Sequence, residues 1–148
     1  MQALPHRYHV RAQGGPAGTV QVSASGLAAL ATQPPPEFGG PEGFWSPETL
    51  LAGAIVDCYV LSFRAIARAS KLEWQDLRVD VEAVLDRVDG VTRFTEVRLQ
   101  PRLRLAAGAS ETLARTVLQK AKASCLITNS LTATCTLEPV VETEGVPA

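Results

Sequence analysis

The spacing of apolar positions changes period several times along the chain, and each change predicts an element. Arg7 to Gln13 and Thr19 to Ala24 read as a β-hairpin across the glycine-rich turn GGPAG, with clean alternation in TVQVSA. A third short strand is predicted at Leu27 to Gln33. The stretch PPPEFGGPEGF, Pro34 to Phe44, cannot continue a ladder, because proline lacks the amide donor and glycine favours turns. It predicts an ordered loop.

Ser46 and Pro47 form a strong helix start, a hydroxyl cap followed by a residue suited to the first helical position. The helix is predicted to run to about Ser70, with Leu51, Ala54, Ile55, Cys58, Leu61, Ala65 and Ile66 on its buried stripe. Period two returns in EWQDLRVDVEAVLDR, Glu73 to Arg87, with Leu77, Val79, Val81, Ala83 and Leu85 on one face. Asp89-Gly90 then makes a tight hairpin turn into a return strand, Arg93 to Leu105, that carries Val97, Leu99, Leu103 and Leu105 inward. Phe94 is out of phase, which predicts a bulge, and Pro101 predicts an edge or an interruption. Ser110 and Glu111 start a second helix, striped by Leu113, Val117, Ala121 and Cys125. CLITNSL predicts a bend or restart of that helix, and TATCTLEPVVE closes the chain as a strand. Strands, long helix, hairpin, helix and strand in this order predict an α+β fold, one domain over residues 1–148 with no internal repeat.

Composition narrows the partners. The chain has 148 residues, 46% hydrophobic and 20% charged, with a formal net charge of -1. No acidic or basic excess points to nucleic acid or an anionic membrane. The N-terminal MQALPHRYHV lacks the apolar core of a signal peptide, and no run is read as approaching the ~20 apolar residues that span a bilayer, so a cytoplasmic protein is expected. His6, His9 and the dispersed cysteines match no metal-ligand spacing.

Three cysteines, Cys58, Cys125 and Cys135, are too few for a secreted disulfide framework, and the odd count leaves one thiol free within the chain. Cys135, on a short strand among threonines, reads as packing. Cys58 and Cys125 fall on the predicted buried stripes of the two helices, which must pack together in a single core. Two such thiols are the minimum apparatus of a thiol peroxidase: one attacks a peroxide and becomes a sulfenic acid, and the other condenses with it to a disulfide.

SPETLLAGAIVDCY, followed 67 positions after its cysteine by CLITNSL, resembles the OsmC/Ohr family of osmotically inducible and organic hydroperoxide resistance proteins. The likeness runs over nearly the whole chain: a β-meander, a glycine-bearing loop, a Pro-Glu helix with a cysteine ten residues after the glutamate, a hairpin and a second cysteine helix. The resemblance implies an intertwined homodimer, with antiparallel sheets and two central cysteine-bearing helices. The activity it implies is reduction of organic hydroperoxides without metal or organic cofactor, recycled by a dithiol reductant such as a lipoylated protein. It implies Cys58 as the peroxidatic residue, Cys125 as the resolving one, and Glu48 as a carboxylate that holds an arginine over the reactive thiol.

Glu48 and Cys58 lie ten residues apart, about 15 Å of rise and about 80° of rotation on one helix, so a shared site must combine two subunits. Cys58 is also about three turns inside its helix, beyond reach of the macrodipole, and needs a cation. Family members commonly supply an arginine from the first hairpin turn; here Pro16 stands at that position, with Arg7 and Arg11 on the preceding strand. That departure keeps a second function open, an OsmC-fold binding or redox-sensing protein without efficient peroxidase activity. Phe38, Phe44, Trp45, Leu51 and Ile55 predict an apolar substrate surface around the proline-rich loop.

Overall fold

Ser46 opens the longest helix through a reciprocal cap. Its hydroxyl oxygen accepts from the Thr49 amide at 3.1 Å, and its own amide donates to Thr49 Oγ1 at 2.8 Å. Two of the amides that a helix start leaves unpaired are satisfied at once, with threonine in the role that glutamate usually takes. The helix, α1, runs over Pro47–Ala69 without interruption. It ends where Lys71 takes a left-handed conformation, φ 56°, and the Leu72 amide closes on the Ala67 carbonyl at 2.9 Å.

The computed structural model describes residues 1–143. These form two compact units that divide after Leu51, within α1. The first unit holds β1 (Arg11–Gln13), β2 (Val20–Ser23) and β3 (Leu30–Thr32), an antiparallel sheet in that order. All three strands are shorter than the alternation predicts. The loop from Pro34 to Phe44 contains a single 3-10 turn at Pro36–Phe38. Gly40 lies so close to the Pro34 carbonyl that any side chain there would collide with it. Phe38, Phe44 and Trp45 are exposed.

In the second unit, β4 (Trp74–Val88) and β5 (Val91–Leu105) form a long antiparallel hairpin. Asp89 and Gly90 at its turn both have positive φ, 52° and 78°, as the Asp-Gly pair requires. The bulge falls where Phe94 breaks phase: Val84 pairs with Glu96 and Leu85 with Phe94, leaving Thr95 extra. Helix α2 (Glu111–Ser124) is capped by Ser110 Oγ, which accepts from the Leu113 amide at 3.1 Å. It stops at Cys125 and restarts as α3 (Leu126–Asn129).

The closing strand is split into β6 (Thr134–Leu137) and β7 (Val140–Thr143), both parallel to β5. The register puts Pro101 opposite Pro139 at the split, where the paired prolines have no amides to lend to the ladder. Strand β5 is therefore central rather than an edge, and Pro101 interrupts the pairing on one side only. Val97, Leu99, Leu103 and Leu105 are buried as predicted, as are Ala114, Val117, Leu118 and Ala121 of α2.

Helix α1 departs from its predicted orientation. Its buried residues are Ile55, Tyr59, Phe63 and Ala67, and of the predicted stripe only Ile55 is among them. Leu61 is 52% exposed, and Ala54 and Cys58 are half-buried. The helix is apolar nearly all round, so periodicity identifies its stripes without ranking them. By length and composition α1 is also long and apolar enough to cross a membrane, with a mean hydropathy of 1.7, which corrects the expectation drawn from unbroken apolar runs. Charged Asp57, Arg64 and Arg68 break up its apolar run, and the Tyr59 face packs inside the protein, with Phe63 edge-on to Trp74 at 5.2 Å.

Candidate active site

Cys58 sits at mid-helix on the half-exposed side of α1. Around it Ala54, Leu61 and Ala65 of α1 and Leu126 and Ile127 of α3 line an open apolar groove, with Asp57 and Ser62 supplying its polar atoms. Ala54, Cys58, Leu61 and Ala65 recur at helical spacing, so the groove is the second apolar stripe of the helix. No lysine or arginine lines it among the described residues, and Asp57 is the one charged side chain in its wall.

Cys125 is fully buried at the joint between α2 and α3. Its amide donates to the Lys122 carbonyl at 3.3 Å, its carbonyl accepts from Thr128 Oγ1 and from the Asn129 amide, and its thiol faces the Ile55 carbonyl of α1 at 4.0 Å. Ile55 precedes Cys58 by one turn of helix. The two cysteines thus meet the same stretch of α1 from different sides: Cys125 from the core, Cys58 from the groove. The expectation that both lie on buried stripes holds for Cys125 and fails for Cys58.

Glu48, in the first turn of α1, has a buried carboxylate oxygen, Oε2, without a hydrogen-bond partner among the described residues. A buried carboxylate oxygen left unpaired is costly and points to a missing donor. Ile55 faces the core and cannot line a substrate surface, so the apolar lining beside Cys58 comes from Ala54, Leu61, Ala65, Leu126 and Ile127 instead.

Two residues near the thiols escape sequence reasoning. Tyr59 is buried, and its hydroxyl donates to the Leu118 carbonyl at 2.9 Å. Burial holds its phenol far above the usual tyrosine range, and the neighbouring Cys125 and Cys135 push it the same way. Lys122 is the other. Burial raises the Cys135 thiol, the Lys122 ammonium draws it back down, and Cys125 adds to the rise. The bulk of Tyr59, in phase with Ile55 and Phe63, was a signal for the first; nothing in the local pattern marks the second. Among the described residues no three His, Cys, Asp or Glu group together as a metal site.

The chain has relatives. The uncharacterized protein YmaD of Bacillus subtilis (strain 168) is 28% identical over 130 residues, spanning 85% of this chain and 87% of YmaD. An OsmC-like protein of unknown function from Vibrio cholerae superposes with a TM-score of 0.84 at 17% identity, over 92% of this chain and all of that one. An organic hydroperoxide resistance protein OsmC from Legionella pneumophila gives a TM-score of 0.71 at 24% identity, over 95% of this chain and 99% of that one. These structural likenesses share the fold, and the OsmC-like protein profile matches residues 39–140, a span that carries Glu48, Cys58, Cys125 and Cys135. The chain belongs to the OsmC-like family.

Proposed function

We propose that this protein is a thiol-dependent peroxidase that reduces organic hydroperoxides, with Cys58 as the attacking and Cys125 as the resolving thiol. Membership of the OsmC-like family suggests a redox or peroxide-resistance role, and the Legionella neighbour is named for hydroperoxide resistance. The observation that carries the finer reading is the unequal exposure of two thiols that flank one turn of α1. Cys58 opens into an apolar groove, whereas Cys125 is enclosed beside Ile55. An apolar hydroperoxide can enter the first site and not the second.

The Cys58 thiolate attacks the terminal peroxide oxygen, the O–O bond breaks, and the alkoxide takes a proton and leaves as an alcohol. The Cys58 sulfenic acid then condenses with the Cys125 thiol, forming the disulfide and releasing water. A dithiol, free or lipoyl-borne, restores both thiols.

The apolar stripe of Ala54, Leu61 and Ala65, extended by exposed Leu126, supports a homodimer in which a second copy covers part of this face. Such a dimer supplies what the groove lacks. The cation that pairs with the attacking thiolate comes from outside it, and the unpaired Glu48 oxygen is the carboxylate that holds that cation in place.

The test is a titration of the reduced protein with cumene hydroperoxide, counting free thiols and mapping the disulfide by mass spectrometry. One equivalent consumes two thiols per chain, and in Cys135→Ser, which keeps only these two cysteines, the bond mapped is Cys58–Cys125. If both cysteines stay reduced under excess hydroperoxide, the reading is wrong and the chain is an OsmC-fold protein of another function.

A further inference from the structure

We propose that Cys135 is a third redox thiol, which takes the disulfide over from Cys58 by exchange at the Cys125 sulfur and presents it to the reductant in a separate polar groove. The proposal rests on the peroxidase reading and deepens it.

Cys135 pairs with Val97 in the parallel ladder between β6 and β5. Paired residues of a ladder project to the same side of a sheet, and Val97 is 1% exposed on the core side. The Cys135 side chain is therefore directed to the face on which α2 and Cys125 lie. Its groove is lined by Lys122, Thr128 and Asn129, the three residues whose backbone or hydroxyl groups bond the Cys125 backbone. Cys125 is thus bounded by Ile55 of the Cys58 helix on one side and by the Cys135 groove on the other. The electrostatic influence of Cys125 on the Cys135 thiol agrees with that proximity.

Cys125 also lies at the break between α2 and α3 rather than inside a helix, so its sulfur can turn between two partners without unwinding either element. The two grooves differ in kind. That of Cys58 is almost wholly apolar, while that of Cys135 has a lysine, a threonine and an asparagine in its wall. Substrate and a water-soluble dithiol are accordingly received at different places.

The exchange balances without a further oxidant. The Cys135 thiolate attacks the Cys125 sulfur, the Cys58–Cys125 bond breaks, and Cys58 leaves as the thiolate, ready for a second hydroperoxide. The proton lost by Cys135 passes to solvent through its open groove. A dithiol then reduces Cys125–Cys135.

Two arms test this on the full chain. In the first, Cys58→Ser and Cys58→Ala are equilibrated in a dithiothreitol redox buffer, with folding checked by circular dichroism, and disulfides are mapped. A Cys125–Cys135 bond is expected in whichever variant folds, and its absence overturns the proposal whatever hydroperoxide does. In the second, reduced wild type receives cumene hydroperoxide with dimedone present. A second equivalent is expected to be consumed, with Cys125–Cys135 joined and Cys58 carrying the dimedone adduct, while Cys135→Ser stops after the first. A persistent Cys58–Cys125 bond with Cys135 still alkylatable overturns the relay alone. Cys58 left reduced overturns the peroxidase reading, and the relay with it.

Discussion

The Tyr59 hydroxyl donates a 2.9 Å hydrogen bond to the Leu118 carbonyl, joining α1 to α2 from inside while Cys58, the preceding residue, lines the groove on the other apolar stripe. Two adjacent residues thus divide the labour of one helix. Tyr59 holds it in place, and Cys58 is left available for chemistry.

Replacing Tyr59 by Phe keeps the ring and removes this bond, at a cost of about 1 kcal/mol, read from the urea midpoint. The phenol is raised in the folded state, so the stability it contributes is complete below about pH 10, the unfolded tyrosine value, and is lost as pH climbs toward the native one. Wild-type stability should therefore fall more steeply than that of Tyr59→Phe above about pH 10. Parallel curves would show that the phenol is not held neutral by the fold.

Cys58→Ser, at a half-exposed position, should change stability by less than about 1 kcal/mol and reduce hydroperoxide consumption to the uncatalysed background. Cys125→Ser places a hydroxyl in the core, costing about 1–2 kcal/mol, and preserves the first attack. Its sulfenic acid, lacking a resolving thiol, accumulates and is trapped by dimedone on Cys58. A variant at Cys125 that still turns over at the wild-type rate with a dithiol would remove that residue from the mechanism.

Glu48→Gln keeps the shape of a side chain with one unpaired buried oxygen. No hydrogen bond to that oxygen from the described residues is lost, so the urea midpoint should not drop. If Glu48 positions the activating cation, kcat/KM for cumene hydroperoxide falls by about tenfold or more, the equivalent of about 1.4 kcal/mol. An unchanged kcat/KM returns Glu48 to the ordinary role of an acid at a helix N-terminus.

Leu61→Glu puts a charge on the exposed apolar stripe of α1. Leu61 is 52% exposed, so folding should lose only about 0.5 kcal/mol, whereas a dimer that buries the stripe should dissociate. Sedimentation equilibrium reads the difference. A wild type that is monomeric at high concentration refutes the assembly, and with it the cross-subunit part played by Glu48.

Much of this fold is legible in the sequence. The Ser46 and Ser110 caps, the Asp89-Gly90 turn and the bulge at Phe94 were each read from a few neighbouring residues, because each is a local steric or hydrogen-bond requirement. Pro101 was half legible. Its missing amide predicts a broken ladder, but only the pairing shows that Pro139 stands opposite and that β5 is nonetheless central. The candidate site divides in the same way. Cys58, Cys125 and Glu48 stand out by spacing and by family resemblance, whereas Lys122 beside Cys135 does not, since its neighbour arrives from a strand thirteen positions later.

By itself the amino-acid order determined the succession of helices and strands, the helix starts, the tight turn and which positions are apolar, since capping, turn geometry and periodicity act within a few residues. Only the tertiary structure decided which apolar stripe of α1 faces the core. Both stripes satisfy the helical period, and the choice depends on what packs against them: Tyr59 reaches Leu118, Cys125 reaches Ile55, and Cys58 remains in the open groove.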